Sequence, residues 1–279
     1  IRGVRTILDD AGLEHVKIVV DNTFLGPLYQ QPIKHGADIV VHSATKFLGG
    51  HSDIIGGVAL SADQGVMKEI RGYRSTTGPI MSPEVCYLLE RSLETLEVRM
   101  EQQMDIAQAV VTALVAHPKV ARVYYPGLLN PENDPDQYAI YQAQCLAPGS
   151  MVAFDVVGDK AAAFRVSDAL QRFYEAVSLG GTHHLVEHVA TTSHAGVPPE
   201  VRQAAGITDN MLRLSFGLGK KDVIVQDVVQ DFFLFYGNGF KIDKLPKGTR
   251  VIYPKKPIAA VKNPKHEINN ALENPLSSK

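Results

Sequence analysis

The chain has 279 residues, 45% of them hydrophobic and 21% charged, and a formal net charge of −2. This is ordinary globular composition, enough for one large domain or two modest ones. It gives no reason to expect a nucleic acid or an anionic membrane as partner, and no apolar run approaches the ~18 residues of a membrane span. The two cysteines, Cys86 and Cys145, stand outside any CxxC pair, so a reducing, cytoplasmic setting is expected. The sequence opens inside a helical pattern without an initiator Met, and we expect a longer parent protein.

Residues 2–11 read as the end of an amphipathic helix, with Val4, Ile7 and Leu8 on one side. The β-branched run 17–21 reads as a buried strand ending at Asp21. A short helix over 29–36 closes at Gly36, and a second buried strand follows at 38–42. A third apolar run spans 54–60. Strand, helix and strand at this spacing predict a parallel sheet with helices on its faces.

Ser61 or Asp63 can cap a helix over 62–74. Ser82 and Pro83 suit the N-cap and first position of a long helix from 82 to 115, ended by His117-Pro118. The pattern then changes. Strands are predicted at 120–125, 151–157, 174–179 and 211–216, with helices at 134–144, 160–171 and 221–234 among them. This reads as a smaller α+β domain over 118–236, following an α/β domain over 1–117. From 241 onward there are nine Lys/Arg and three Asp/Glu, against 19 and 27 in the rest, with five prolines beyond 245. Such a basic, proline-rich stretch over 237–279 reads as a tail.

The segment 19–60 carries the chemistry. Asp21 ends one buried strand, and Ser43, Ala44, Thr45 and Lys46 end the next. In open α/β sheets ligands gather outside the carboxyl ends of strands, so a carboxylate, two hydroxyls and an amine converge on one rim. Gly49 and Gly50 follow and permit close backbone approach. The set suits a phosphorylated aldehyde cofactor. The amine can condense with the aldehyde, the hydroxyls can donate to the phosphate, and the carboxylate can keep a ring nitrogen protonated. On spacing alone, a loop lysine and a capping aspartate explain the pattern equally well.

The motif DNTF…P…GAD-x-V-x-HSATK-x-x-x-GH-x-D…GG, met here from Asp21 to Gly57, resembles the Cys/Met-metabolism (trans-sulfuration) family of pyridoxal-phosphate (PLP) enzymes. The phrases AVSLGG at 176–181 and MLRLSFGL at 211–218 resemble it too. The resemblance implies a fold type I architecture, an α/β/α large domain with a mostly parallel sheet followed by a C-terminal α+β domain. It implies pyridoxal 5'-phosphate as cofactor, with Lys46 as the catalytic lysine that holds it. Asp21 then pairs with the pyridine nitrogen, and Ser43 and Thr45 bind the phosphate. Ser178 lies in the substrate pocket, and Arg213 grips the substrate carboxylate with a planar fork. A homo-oligomer, a dimer of dimers, is implied as well. RSLETLEVRM at 91–100 and TSHAG at 192–196 read as scaffold. His183, His184, His188 and His194 lack a companion ligand at metal spacing, and no metal is expected.

The resemblance covers residues 1–235 and lacks the family's preceding segment, which carries other parts of the cofactor cage. The implied chemistry is β- or γ-elimination or γ-replacement on a sulfur amino acid or an activated homoserine. Cystathionine-handling relatives often place a glutamate just before the pocket serine, where this chain has Val177. An apolar side chain cannot pair an ammonium group and suits a thioether methyl. The expected activity is therefore methionine γ-lyase-like. Cystathionine γ-synthase, cystathionine γ-lyase and O-acyl-homoserine sulfhydrylase activities are the alternatives. A reading of another class is a catalytically inactive fragment or structural subunit.

Overall fold

The computed structural model describes residues 1–236; the predicted basic tail over 237–279 lies outside the described residues. Helix α1 (Arg2–Asp10) buries none of its residues. Strand β1 (Val19–Asp21) leads to a short α2 (Gly26–Tyr29), then a 3-10 turn (Pro32–His35) closed by Gly36 at φ +95°. The single helix expected over 29–36 is therefore two pieces. Pro32 has no N–H to continue an earlier turn, and it starts the second piece instead.

Strand β2 (Ile39–Ser43) lies parallel to β1. Strand β3 (Gly57–Leu60) then pairs antiparallel to β2, giving a three-stranded sheet in the order β1-β2-β3. The parallel sheet predicted for these runs is thus mixed. The return from β2 is a tight segment, 44–56, without the crossover helix a parallel neighbour needs. Asp63 caps α3 (Gln64–Thr77), accepting from the N–H groups of Gly65 and Val66. Ser82 caps α4 (Pro83–Leu93), with Pro83 at its first position.

The helix predicted over 82–115 is broken. α4 ends at Leu93 and α5 (Leu96–Val115) begins after a turn at Thr95. At the break the Ser92 carbonyl accepts from Thr95 N–H in a tightened i−3 bond and from the Arg99 guanidinium. It is no longer available to continue a regular α-helix.

The second sheet has five strands in the order β4-β5-β8-β7-β6. These are β4 (Val120–Tyr124), β5 (Met151–Val156), β6 (Phe173–Glu175), β7 (His184–His188) and β8 (Met211–Ser215). α6 (Pro135–Gln144), α7 (Lys160–Ala169), α8 (Pro199–Ala204) and α9 (Lys221–Tyr236) complete the described fold. The strand expected over 174–179 is shorter, because residues after Glu175 leave the sheet for the pocket loop. β7 has no counterpart among the predicted strands.

One apolar cluster joins α5, β5, β8, α7 and α9 through Ile106, Val110, Phe154, Val166, Leu212 and Ile224. A second cluster seats the segment after Lys46, with Phe47 and Leu48 packed among Tyr29, Leu96, Met100 and Leu179. Among the described residues no helix is long and apolar enough to cross a membrane.

Candidate active site

Lys46 ends the HSATK run in a tight π-type turn, Ala44–Leu48, and its own backbone is non-helical at φ −92°, ψ −128°. Gly49 and Gly50 return N–H bonds to the Ala44 and Lys46 carbonyls. The turn throws the Lys46 side chain toward the loop after β6, where its Nζ donates to Ser178 Oγ at 3.0 Å. A serine 132 positions away thus orients the amine, and the two sequence-predicted residues meet.

Gly180 makes that approach possible. It sits at φ +78°, and a Cβ there would lie 2.7 Å from Phe47 N. Only glycine accepts both the backbone angle and the contact. The Gly180 N–H is fixed by Ser215 Oγ at 3.0 Å.

Asp21 stands at the carboxyl end of β1. Its Oδ1 accepts from Thr23 N at 3.0 Å and from Thr23 Oγ1 at 2.6 Å. Thr23 Oγ1 in turn accepts from Ser43 N at 2.8 Å. One hydroxyl therefore ties the ends of β1 and β2 and sets the carboxylate. The motif contained Thr23, but spacing gave it no task. Behind Asp21, His42 is buried and its Nδ1 has no partner. Burial lowers the His42 pKa, and the Asp21 charge opposes that shift.

Arg213 lies on β8, the central strand of the five-stranded sheet. Its Nη1 meets Glu187 Oε1 at 2.9 Å, and Nη2 donates to the carbonyls of Val177 at 3.2 Å and Ser178 at 3.4 Å. Glu187 is the cross-strand partner of Arg213 on β7 and is only 1% exposed. Its carboxylate also accepts from Ser193 Oγ at 3.0 Å and Thr192 Oγ1 at 3.4 Å. The 192–194 phrase thus braces Arg213 through Glu187. Sequence reasoning missed Glu187, because β7 carries no alternation of polar and apolar residues that would mark it as a strand facing MLRLS. Burial lowers the Arg213 pKa, opposed by Glu187; guanidinium remains charged.

Asp21 and Arg213 line one cleft of about 430 Å³, together with Phe24, Tyr124, Pro126 and Met151. Arg213 reaches the Ser178 carbonyl while Lys46 reaches the Ser178 hydroxyl, so Ser178 links the amine to the guanidinium. The two predicted phosphate ligands are less prepared. Thr45 Oγ1 accepts from Gly56 N at 3.1 Å and donates to Gly56 O at 3.4 Å, so it can serve an anion only by exchanging partners. Ser43 is half-buried at the end of β2.

The histidines do other work. His184 is buried, its Nδ1 accepts from Gly217 N at 3.1 Å, and burial pushes its pKa down to about 4. His188 bonds Thr191 and the Asp209 carbonyl. Among the described residues no three His, Cys, Asp or Glu side chains are grouped to hold a metal ion.

Asp21 and Arg213 share the cleft, and the Lys46 amine is tied to Arg213 through Ser178 rather than lining that cleft itself. The sequence profile of the family described as Cys/Met metabolism PLP-dependent enzyme matches residues 1–233. The chain belongs to that family. It is 41% identical over 215 residues to an L-methionine gamma-lyase of Fusobacterium nucleatum, covering 76% of this chain and 53% of that protein. Over 214 residues it is also 41% identical to a cystathionine gamma-synthase of Escherichia coli, covering 77% and 54%. A solved cystathionine gamma synthase from Xanthomonas oryzae, in complex with cystathionine, superposes with a TM-score of 0.75 at 36% identity, over 82% of this chain and 58% of that one. The fold is that of these PLP enzymes. The chain spans about half the length of the curated relatives it matches.

Proposed function

We propose that this chain supplies the lysine-bearing part of a PLP-dependent enzyme that eliminates the γ-substituent of methionine, giving a 2-oxo acid, ammonia and a thiol. The observation that carries the reading is the 3.0 Å contact from Lys46 Nζ to Ser178 Oγ, with the Ser178 carbonyl held by Arg213, which lines one cleft together with Asp21.

When bound, the cofactor supplies an aldehyde that attaches the substrate amine and a ring that accepts charge from Cα. The chain's own residues do the rest. Lys46 holds the cofactor between turnovers and, once released, takes the Cα proton. Ser178 Oγ fixes the direction of the resting amine. Asp21, set by Thr23, would pair with the ring nitrogen of the bound cofactor and keep it protonated. Arg213, held by Glu187, receives the substrate carboxylate, which fixes Cα relative to Lys46. Ser43 and Thr45 take the phosphate. Val177, half exposed beside Ser178, offers apolar surface to a thioether methyl.

A second reading is cystathionine γ-synthase or a related γ-replacement, favoured by the equal identity to the Escherichia coli synthase. The two separate on acceptor dependence: a lyase turns over methionine in water alone, a synthase requires a thiol. Assembly as a homo-oligomer belongs to the same proposal and is read by light scattering. So does a cytoplasmic location, which suits the free thiols of Cys86 and Cys145.

The deciding experiment mixes the purified chain with PLP, reduces with borohydride and maps the labelled peptide. A phosphopyridoxyl group on Lys46, lost in Lys46→Ala, is expected. A folded chain left unlabelled at Lys46 sinks the reading for this chain and favours an inactive fragment.

A further inference from the structure

Helix α5 carries two buried polar side chains one turn apart, Arg99 and Gln103, which are 3% and 0% exposed. They grip the two segments that meet at the Lys46 amine. Arg99 Nη1 donates to Phe47 O at 2.8 Å and Nη2 to Leu48 O at 3.5 Å; Gln103 Nε2 donates to Gly181 O at 2.8 Å. Arg99 is itself fixed by Thr95 Oγ1 and the Ser92 carbonyl.

The chemistry of each contact is informative. Phe47 and Leu48 carry the end carbonyls of the turn that throws out Lys46, and such carbonyls need a donor from outside the turn. All the Arg99 partners named are neutral oxygens, and burial lowers its pKa. Burying a guanidinium among neutral oxygens is an expensive way to fill space. Gly50, at φ +69°, leaves room for it: a Cβ there would lie 1.9 Å from Arg99 Nη1. Gln103 tells the same story, because its Oε1 is buried with no partner. An apolar side chain would avoid that orphan acceptor but would leave the Gly181 carbonyl without its donor.

We propose that Arg99 and Gln103 form a bracket that sets the position of Lys46 against Ser178, making them positioning residues for the lysine amine. The bracket works through Gly180, which lies between the Gln103 contact and Ser178 and packs on the backbone of Lys46 and Phe47. Release at either end lets the Ser178 hydroxyl move off Nζ. The catalytic meaning of the bracket rests on the reading of Lys46 given above; its mechanical meaning does not.

The test uses the full chain and three variants: Gln103→Met, Arg99→Lys and, as a control for lost core packing, Val110→Ala. Competitive acetylation with acetic anhydride reads Lys46 reactivity, and amide hydrogen exchange reads segments 46–50 and 178–182. Gln103→Met is expected to raise Lys46 acetylation about threefold, the order of one lost hydrogen bond. It should also speed exchange about tenfold in both segments, including the one it does not touch. Arg99→Lys does the same where it folds. Val110→Ala lowers the melting temperature and leaves both readouts unchanged. If Gln103→Met changes Lys46 acetylation no more than Val110→Ala does, or speeds exchange only in 178–182, the bracket is overturned. Borohydride labelling of the unaltered chain separately judges whether Lys46 holds the cofactor, so the two failures are distinguishable.

Discussion

The two sheets are built to different standards of burial. In the five-stranded sheet, β5 and β8 are almost wholly enclosed, and α7 buries Ala162, Ala163 and Val166 against them. In the three-stranded sheet, β1 and β3 bury none of their residues completely, and α1 and α3 bury none either. Yet Asp21 ends a strand of the three-stranded sheet and Lys46 lies in the turn that follows its β2, while Arg213 and the Ser178 loop belong to the five-stranded sheet. The residues that would handle a cofactor therefore sit on the thinly covered layer, and the well-packed layer holds them in place through the Ser178 loop, Arg99 and Gln103. Apolar burial at ~25 cal/mol per Å² makes the enclosed sheet the main source of stability.

Core truncation tests this division most strongly. Phe154, on β5, is 1% exposed, and Val19, on β1, is 57% exposed. Phe154→Ala should cost about 3–5 kcal/mol by urea unfolding, through lost transfer energy and the cavity left behind. Val19→Ala should stay within about 0.5 kcal/mol. Equal costs would show that the two sheets share one stability and that the contrast in burial is superficial.

The same contrast explains what could be read from the sequence. In the segment 19–60 the strand ends and the turn were legible because they lie close together: Asp21 and Ser43 end their strands, and Thr45 and Lys46 sit in the turn that follows. Contacts that join distant segments were not. Ser178 was assigned to the pocket, but nothing local says that it touches Lys46. Glu187 and His188, both 1% exposed, put polar residues on buried positions of β7 and erased the alternation that would have revealed the strand. α4 and α5 read as one helix because their apolar spacing barely shifts at the break. The break depends on Arg99 reaching the Ser92 carbonyl, a side-chain contact no periodicity records. The direction of β3 depends on how the chain returns through 44–56, which an apolar run cannot state.

Buried histidines offer a finer test, with the larger effect again in the enclosed sheet. Burial holds the His184 pKa at about 4, well below the ordinary value of 6.5. Between those values the unfolded chain binds a proton that the folded chain refuses, so stability is full above pH 6.5 and falls as the pH drops toward 4. At 1.36 kcal/mol per unit the loss is about 2–3 kcal/mol. His42, in the other sheet, shifts in the same direction, but Asp21 opposes it, so its share is smaller. His184→Asn can still accept from Gly217 N–H and cannot take up that proton. Measured by urea unfolding at pH 7 and pH 4.5, this variant should lose markedly less stability on acidification than the unaltered chain. An identical fall in both would remove His184 as the cause.

The smallest effect separates the layers through one kind of interaction. Asp63 caps α3 and Asp159 caps α7, each by accepting from backbone N–H groups in the first turn. An N-cap of this type contributes about 1 kcal/mol to its helix. For α7, whose buried face is part of the main core, loss of the cap must appear in global stability. For α3, which buries none of its residues, fraying of the first turn uncovers little apolar surface and need not unfold anything else. Asp159→Ala should therefore lower the urea midpoint by the equivalent of about 1 kcal/mol. Asp63→Ala should leave it nearly unchanged while speeding amide exchange at the start of α3. If the two variants shift the midpoint equally, α3 is coupled to the core as tightly as α7, and cooperativity crosses between the layers despite their difference in burial.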